Sequence, residues 1–562
     1  LYKSTVFLQP SAGAIPEKDF DMNLNLKYGF PKRHRSFDMR FADFDRDTFE
    51  ATLELAEQIA VEQVYPANVE ADKIGAKYDP ATKSVAIPQG FQTAMKSYRE
   101  AGFSGLSNDQ EFGGTGMPET IYRAVMDYFF AAGVAFASYD SLKVGACNLI
   151  INHGSEELKK IYVEKMVAGQ WGGTMCLTEP SAGSDVGALK TRAVKQADGT
   201  YKITGQKIFI TAGDNDLYVG WLLGQERQGM KIMFQMMNEA RLDVSQQGLG
   251  TASSAYMHAV TYAKNRIQGA DPAKRGDFTS VPIIKHPDVR RMLLWMKSQV
   301  EAMRMLTLLA AYSADMAHVE KGDKAKEAGA LLDFLIPLCK AGNTDLAWLI
   351  TSEAMQVYGG YGYCSEYPVE QLARDCKILA IYEGTNGIQS MDLAMRKLLM
   401  NPDMFNFKVF KKRIAETCDK AKGIVDEKYI TAMKSAVENM DETVLKLAAL
   451  RDQKKILDIL AVAQPLQQAM RMVAHAWMHL WSMTIALPKL KAIAGDISGK
   501  KVIATVKDNA EAAFYYGKIL SDKFYLGTEL KHLTGYLDYI TAGEPATVNE
   551  CFEEIFTGAL VQ

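Results

Sequence analysis

The sequence predicts a mainly α-helical fold with a β insert, and three observations predict it. Apolar residues recur at helical spacing from Asp45 to about Gly169. Short alternating runs replace that spacing from Gly172 to Thr211. The helical period then returns after about Met230 and continues to the end of the chain. The expected order is helices, a β insert, helices, and a further helical unit.

Each unit has its own signal. Residues 1–40 are punctuated by Pro, Gly and Lys without a sustained period and read as an extended lead segment. Residues 41–170 form the first helical domain: Phe49, Leu53, Leu55, Ala56 and Ile59 share one helical face, and the pattern resumes from Leu149 to Met166 after the loop EFGGTGMP. That loop has no following Lys-Ser/Thr, so a tight turn between helices is a better use for it than a phosphate cradle. Residues 171–229 form the β unit, where Asp198-Gly199 stands between AVKQ and TYKITGQKIFIT as a turn between two strands.

Residues 230–400 are helical again. Met292, Leu293, Met296, Val300, Met303 and Leu306 mark one face of a long helix starting near an Asp288 cap, and a second helix, Thr344 to Tyr358, stops at Gly359-Gly360. Residues 401–562 read as amphipathic helices with short loops, forming a separate unit.

A chain of 562 residues is long enough for three or four units and a large internal cavity. Its 48% hydrophobic and 23% charged residues are those of a globular protein, and a formal charge of -3 leaves no electrostatic footprint for nucleic acid. Seven scattered cysteines without a CxxC pair argue against a disulfide framework or a zinc site and fit a reducing cytoplasm. No apolar run reaches the roughly 18 residues that a membrane span needs, and no charged-then-apolar leader is present. The chain opens on Leu1 rather than Met, which leaves its true start open.

Two segments carry chemistry. Met175 to Ala193, MCLTEPSAGSDVGALKTRA, is a loop of small residues whose N–H groups and the hydroxyls of Thr178 and Ser184 can lie against a phosphate or a polar ring edge. Composition alone does not separate it from an ordinary surface loop. Gln356 to Gln389 contains a Gly pair ending a helix and a lone carboxylate, Glu383, between Tyr382 and Gly384. A carboxylate beside Gly can approach a substrate closely, and partial burial would raise its pKa towards that of a general base. The alternative is a solvated loop glutamate. The Gly pair follows a helix and lacks the GxGxxG spacing, so it is a weak dinucleotide signal.

CLTEPSAGSD, GQKIFIT and IYEGTNGIQ, in that order, resemble the acyl-CoA dehydrogenase family, strongly over Phe41 to Leu399. The C-terminal extension resembles the longer branch that includes methylmercaptopropionyl-CoA dehydrogenase. The resemblance implies a small β-barrel-like middle domain, a C-terminal four-helix bundle and an extra C-terminal helical domain. It implies FAD as cofactor, an acyl-CoA thioester as substrate, an electron-transfer flavoprotein as partner, and a homodimer or dimer of dimers.

The resemblance assigns residues as well. Glu383 matches the base that takes the α-proton; its backbone N–H, with a flavin ribityl hydroxyl, would bind the thioester oxygen while flavin N5 takes the β-hydride. Leu177, Thr178, Gly183 and Ser184 match positions that hold the flavin and its phosphates, and Phe209 and Thr211 match strand residues on the isoalloxazine. Arg266, Gln356, Gly359 and Gly360 match contacts to the FAD of a neighbouring subunit, and Thr385 matches a further FAD contact. Arg241 matches a CoA-side position; Ser184 and Gly384 join it as substrate contacts.

The chain also departs from the family. Only about a dozen residues separate Thr211 from GQERQG, where several more strands belong, so a stretch is expected to be missing between Leu217 and Tyr218, or else deleted at the expense of the flavin wall. Arg266-Ile267-Gln268-Gly269 and Gly387 also differ from the usual pattern. Some relatives carry the base at the position of Ala240; Glu239 is one residue off, about 100° round a helix, and should face elsewhere. His475 and His479 have metal-ligand spacing but no third ligand, and no metal is expected. The Met-rich helices, Trp477 and Trp481 read as packing. Acyl-chain depth is expected to depend on helices around Ser138 to Val144, with Tyr361 and Tyr363 as pocket or core residues. An acyl-CoA oxidase and a non-catalytic assembly homologue are the competing functions.

Overall fold

Apolar periodicity becomes burial along most of the chain. The computed structural model describes residues 41–543 apart from 42, 214–228, 275 and 496–498, and beyond them 547–548 and 555–556. The lead segment 1–40 and the Leu217–Tyr218 junction lie outside the described residues.

The first unit is built on α1 (Arg46–Ile59), α2 (Tyr65–Ile74), α3 (Gln89–Glu100), α4 (Glu119–Ala132) and α5 (Val134–His153). Asp45 caps α1 by accepting the Thr48 N–H at 2.8 Å, and Phe49, Leu53, Ala56 and Ile59 turn inward while Leu55 stays exposed. EFGGTGMP is the tight turn expected: Gly113 and Gly116 have positive φ, and the Gly116 N–H returns to the Asn108 carbonyl at 2.8 Å. Helix α4 is buried on nearly every side because it lies between α1, the bundle and α5.

A short hairpin, β1 (Lys77–Asp79) with β2 (Ser84–Ala86), decorates this unit. The middle unit contains the predicted hairpin, β3 (Arg192–Lys195) antiparallel to β4 (Tyr201–Thr204), with Gly199 at φ 86° in the turn. Among the described residues the middle unit is this two-stranded sheet alone, and both its faces meet solvent, with Val194 58% and Ile203 64% exposed. Two strands cannot close on themselves.

The bundle is made of α6 (Gly229–Asn265), α7 (Pro287–Val319) and α8 (Gly322–Tyr358), with a small hairpin, β5 (Ile267–Ala270) and β6 (Ser280–Pro282), between α6 and α7. Helix α7 buries all six residues of the predicted stripe. Its N-cap is His286, and Asp288 sits in the first turn, where it accepts Arg291 Nε at 2.8 Å. Helix α8 begins 22 residues before the predicted Thr344 start and runs through Pro337, ending at Gly359 as expected. Tertiary packing outweighs the proline there. Helices α9 (Pro368–Lys377) and α10 (Asn386–Asp392) complete the bundle.

The extension comprises α11 (Phe405–Ala421), α12 (Glu427–Asp452), α13 (Ala463–Ala494), α14 (Ala510–Gly527) and α15 (Leu533–Ala542). Helix α13 is its centre, with Trp477 Nε1 donating to Thr417 Oγ1 at 2.7 Å and its ring edge-on to Phe410. One continuous apolar cluster runs from Phe49 through Leu306 and Phe334 to Trp477 and Ile540, so the extension shares its core with the bundle and the first unit.

Helices α6 and α4 touch through a glycine. A Cβ on Gly250 would stand 2.7 Å from the Ala131 nitrogen and 2.8 Å from the Phe130 carbonyl carbon, both backbone atoms that cannot rotate aside. Gly250→Ala is expected to destabilise the protein by about 1–3 kcal/mol through overpacking. A lowered urea midpoint checks this, with Gly329→Ala, whose Cβ meets nothing within 4 Å, as the control.

Candidate active site

Glu383 lies on a turn that an ordinary side chain resists. Its φ is 54° and that of Gly384 is 85°, so two successive residues are left-handed. For a non-glycine residue this costs about 1–2 kcal/mol and persists only where the surroundings enforce it. Thr385 ends the turn and caps α10, its Oγ1 accepting the Ile388 N–H at 3.2 Å. Tyr382 is anchored by a hydroxyl hydrogen bond to Gln247 of α6.

The turn delivers the carboxylate inward. Glu383 Oε2 is buried and has no hydrogen-bond partner. Burial pushes its pKa up to about 7, opposed by the Lys340 cation, with Asp243 raising it further and Arg241 lowering it. An unpartnered buried carboxylate near neutrality has the properties of a general base.

Arg241 lies against this turn. It is 3% exposed, its Nη1 pairs with Asp392 Oδ2 at 3.2 Å, and its Nη2 stands 3.7 Å from the position of a Cβ on Gly384. The guanidinium therefore braces the start and the end of α10. Glu239 turns elsewhere, accepting Asn148 Nδ2 of α5 at 2.9 Å, although burial raises its pKa to about 7 as well. Of the Ser138–Val144 stretch, Asp140, Ser141 and Lys143 face inward and the others are half-buried.

A second group of expected residues also converges. Arg266, Gln356, Gly359 and Gly360 line one cavity of about 690 Å³ with Gln268, His286 and Tyr361. The Arg266 guanidinium sits 5.5 Å from the Tyr361 ring centroid, and Tyr262 stacks on Tyr358 at 4.0 Å. Gly359, at φ 63°, and Gly360 would each place a Cβ in open space, so bare backbone faces the cavity. Tyr361 thus lines this cavity, while Tyr363 is 83% exposed. The cavity opens at the end of α8, 18 residues beyond Lys340, or about 27 Å along the helix at 1.5 Å per residue. It is distinct from the surroundings of Glu383.

The third group forms a platform. The Ile208 N–H donates to the Thr178 carbonyl at 3.0 Å, and Thr174 Oγ1 donates to the Thr211 carbonyl, which ties the 174–184 loop to the GQKIFIT segment. Glu179, missed at the level of sequence, is the staple. It accepts Lys207 Nζ at 2.8 Å and the N–H groups of Lys190 and Thr191 at 2.7 and 2.9 Å, and these hold its pKa down to about 2. Lys207 Nζ also donates to the Leu177 carbonyl at 2.9 Å. Leu177 and Thr178 are half-buried, whereas Gly183 and Ser184 are exposed. Phe209 has φ 57° and is 89% exposed, a left-handed aromatic standing in solvent.

His479 of the spaced histidine pair is engaged by Asp522 Oδ1 at 2.8 Å and the Ser298 carbonyl at 3.2 Å, and His475 is buried without a partner.

Comparisons with known proteins agree with this organisation. Consecutive stretches match models described as acyl-CoA dehydrogenase N-terminal domain (residues 47–170), middle domain (174–259) and C-terminal domain (227–398), and as acetyl-CoA dehydrogenase C-terminal like (410–549). A butyryl-CoA dehydrogenase of Syntrophomonas wolfei is 32% identical over 594 aligned positions, which cover 91% of this chain and 94% of that protein. The 3-methylmercaptopropionyl-CoA dehydrogenase of Ruegeria pomeroyi is 33% identical over 64% of this chain and 72% of its own. The fold is shared with a solved acyl-CoA dehydrogenase from Bacillus anthracis complexed with FAD, at 20% identity and TM-score 0.63, covering 91% and 94% of the two chains. Since 91% of 562 residues is about 511, roughly 80 of the 594 positions in the first alignment face no residue here.

Proposed function

Since the chain belongs to the acyl-CoA dehydrogenase family, we propose that it removes the α-proton and β-hydride of an acyl-CoA thioester to leave a trans-2-enoyl-CoA, with Glu383 as the base. The observation that carries this reading is the buried, unpartnered Oε2 of Glu383, on a carboxyl poised near neutrality.

The residues present fit FAD. Arg266, Gln268 and the bare Gly359-Gly360 backbone offer a cationic group and unobstructed approach to a pyrophosphate, and the stapled 174–211 platform offers hydroxyls and an aromatic face to the ring. Bound FAD supplies the acceptor for the hydride leaving the β-carbon. Glu383 takes the α-proton, and its backbone N–H is the donor the chain contributes to the thioester oxygen as enolate charge develops. Arg241 keeps the turn in place. The cavity at the end of α8 stands about 27 Å along the helix from Lys340, which supports its serving the FAD of a second subunit, in a homodimer or dimer of dimers. An electron-transfer flavoprotein is the electron acceptor in this reading. No helix among the described residues is long and apolar enough to cross a membrane, and the proposed compartment is the cytoplasm.

One observation favours a second reading, an acyl-CoA oxidase. Phe209 is 89% exposed on a platform that carries two strands among the described residues, and such exposure gives oxygen a route to a reduced cofactor.

Glu383→Gln is expected to keep yellow FAD bound but to slow anaerobic bleaching by butyryl-CoA by about 10²–10⁴-fold. Wild-type bleaching in that variant removes Glu383 from the mechanism. Because the base acts only when ionised, the wild-type bleaching rate should rise with pH through about 7 and fall below it; a flat profile from pH 6 to 8 contradicts the assignment. Arg266→Ala should weaken FAD binding on the order of tenfold, and a monomer carrying full FAD would rule out the shared site. Slow reoxidation in air, sped by an electron-transfer flavoprotein, identifies a dehydrogenase; rapid reoxidation with stoichiometric peroxide identifies the oxidase.

A further inference from the structure

Lys340 sits in the middle of α8, fully buried, and the side chain that receives its Nζ is an amide rather than a carboxylate. Its Nζ donates to Asn386 Oδ1 at 2.9 Å. A buried ammonium is costly unless compensated, and here the compensation comes one residue removed. Asn386 Nδ2 donates to Asp345 Oδ1 at 2.7 Å and to Thr344 Oγ1 at 2.9 Å. Asp345 Oδ2 accepts Gln468 Nε2 of α13 at 2.7 Å, and Gln468 Oε1 accepts Arg471 Nε at 3.1 Å.

The two helices meet closely at this point. A Cβ on Gly342 would stand 2.6 Å from Arg471 Cδ, so the bare glycine makes room for that α13 side chain on α8. Asp345 is thus held between the extension and Asn386, the residue that follows the Glu383-Gly384-Thr385 turn. We propose that Lys340 is a positioning residue for the Glu383 carboxylate, held by an Asn386–Asp345–Gln468 chain, so that the C-terminal extension is part of the proton-abstracting apparatus. The proposal rests on the reading of Glu383 as base.

The charges act in sequence. Facing Glu383 are Lys340 from α8 and Asp243 and Arg241 from α6. Facing Lys340 are Asp345 on its own helix, Glu383 from the turn and Arg241 from α6. Burial drives the Lys340 pKa down to about 7, and Asp345 followed by Glu383 holds it up. Neutralising Asp345 lets the ammonium lose its proton at lower pH; Glu383 then loses the cation that most lowers its pKa and keeps its own proton to higher pH. No bond is made or broken, and only these proton equilibria move.

The test uses the full FAD-loaded chain and the rate constant of anaerobic bleaching by butyryl-CoA between about pH 5.5 and 9.5. Asp345→Asn, which preserves shape, and Lys340→Met should each move the inflection up by about one pH unit, a loss of about tenfold below it that vanishes at high pH. Lys340→Arg should keep the wild-type inflection, and Gln468→Leu should shift it upward by less. The pH at which the Glu383 acid band, identified by its absence in Glu383→Gln, disappears from infrared difference spectra of the resting protein should move with it. An unmoved inflection in both Asp345→Asn and Lys340→Met, or a loss equal at every pH, overturns the proposal. Normal bleaching in Glu383→Gln instead overturns the assignment of the base, so the two failures are distinct.

Discussion

Holding one carboxylate out of water on a left-handed turn is the constraint around which this molecule is arranged. Neither condition is stable by itself: the backbone resists φ 54° at a glutamate, and solvent favours the ionised side chain. The neighbours remove the alternatives. Thr385 caps the helix that follows, Tyr382 is fixed to α6, Arg241 ties the far end of α10 to α6 through Asp392, and Asn386 is fixed to α8. Four separate attachments hold about ten residues, and the buried partners leave the turn little freedom to relax.

This explains why the bundle helices are long and closely packed. Helix α8 runs 37 residues and carries Lys340, Asn343 and Thr344 in its buried middle beside half-buried Asp345, with the glycine-ended cavity at its C-terminus. A rigid rod fixes the spacing between Lys340 and that cavity better than a jointed one. The extension adds to the same rigidity, because its central helix buries its face against α7, α8 and α10 as well as its own neighbours.

What the sequence disclosed follows the range of the forces involved. Helical stripes such as Met292 to Leu306, the Asp198-Gly199 turn and the Gly359 stop were legible because local geometry determines them. Glu383 was legible through its neighbours Tyr382 and Gly384. Lys340 was not, since it lies in the run FLIPLCKAGNTD, where a lone lysine gives no sign that Asn386 and Asp345 will gather round it. Glu179 was equally silent, because its three donors are 11, 12 and 28 residues away. The β3–β4 hairpin was legible because a turn dipeptide between alternating runs is a local signal, whereas strand partners distant in the chain leave no such mark.

The two halves of the chemistry are therefore built to different standards. Beside the Glu383 turn, Lys340, Arg241 and Asp243 stand at buried helix positions, and burial is the main cause that raises the Glu383 pKa. On the cofactor side the platform is internally stapled yet faces solvent, with Phe209 projecting from it. An exposed aromatic in a strained conformation is retained only if something else repays the cost, and a flat ring laid against it is the partner whose chemistry suits both its shape and its apolar face. The bundle thus holds Glu383 among buried helix residues, whereas Phe209 stands on a platform whose described face is open to solvent.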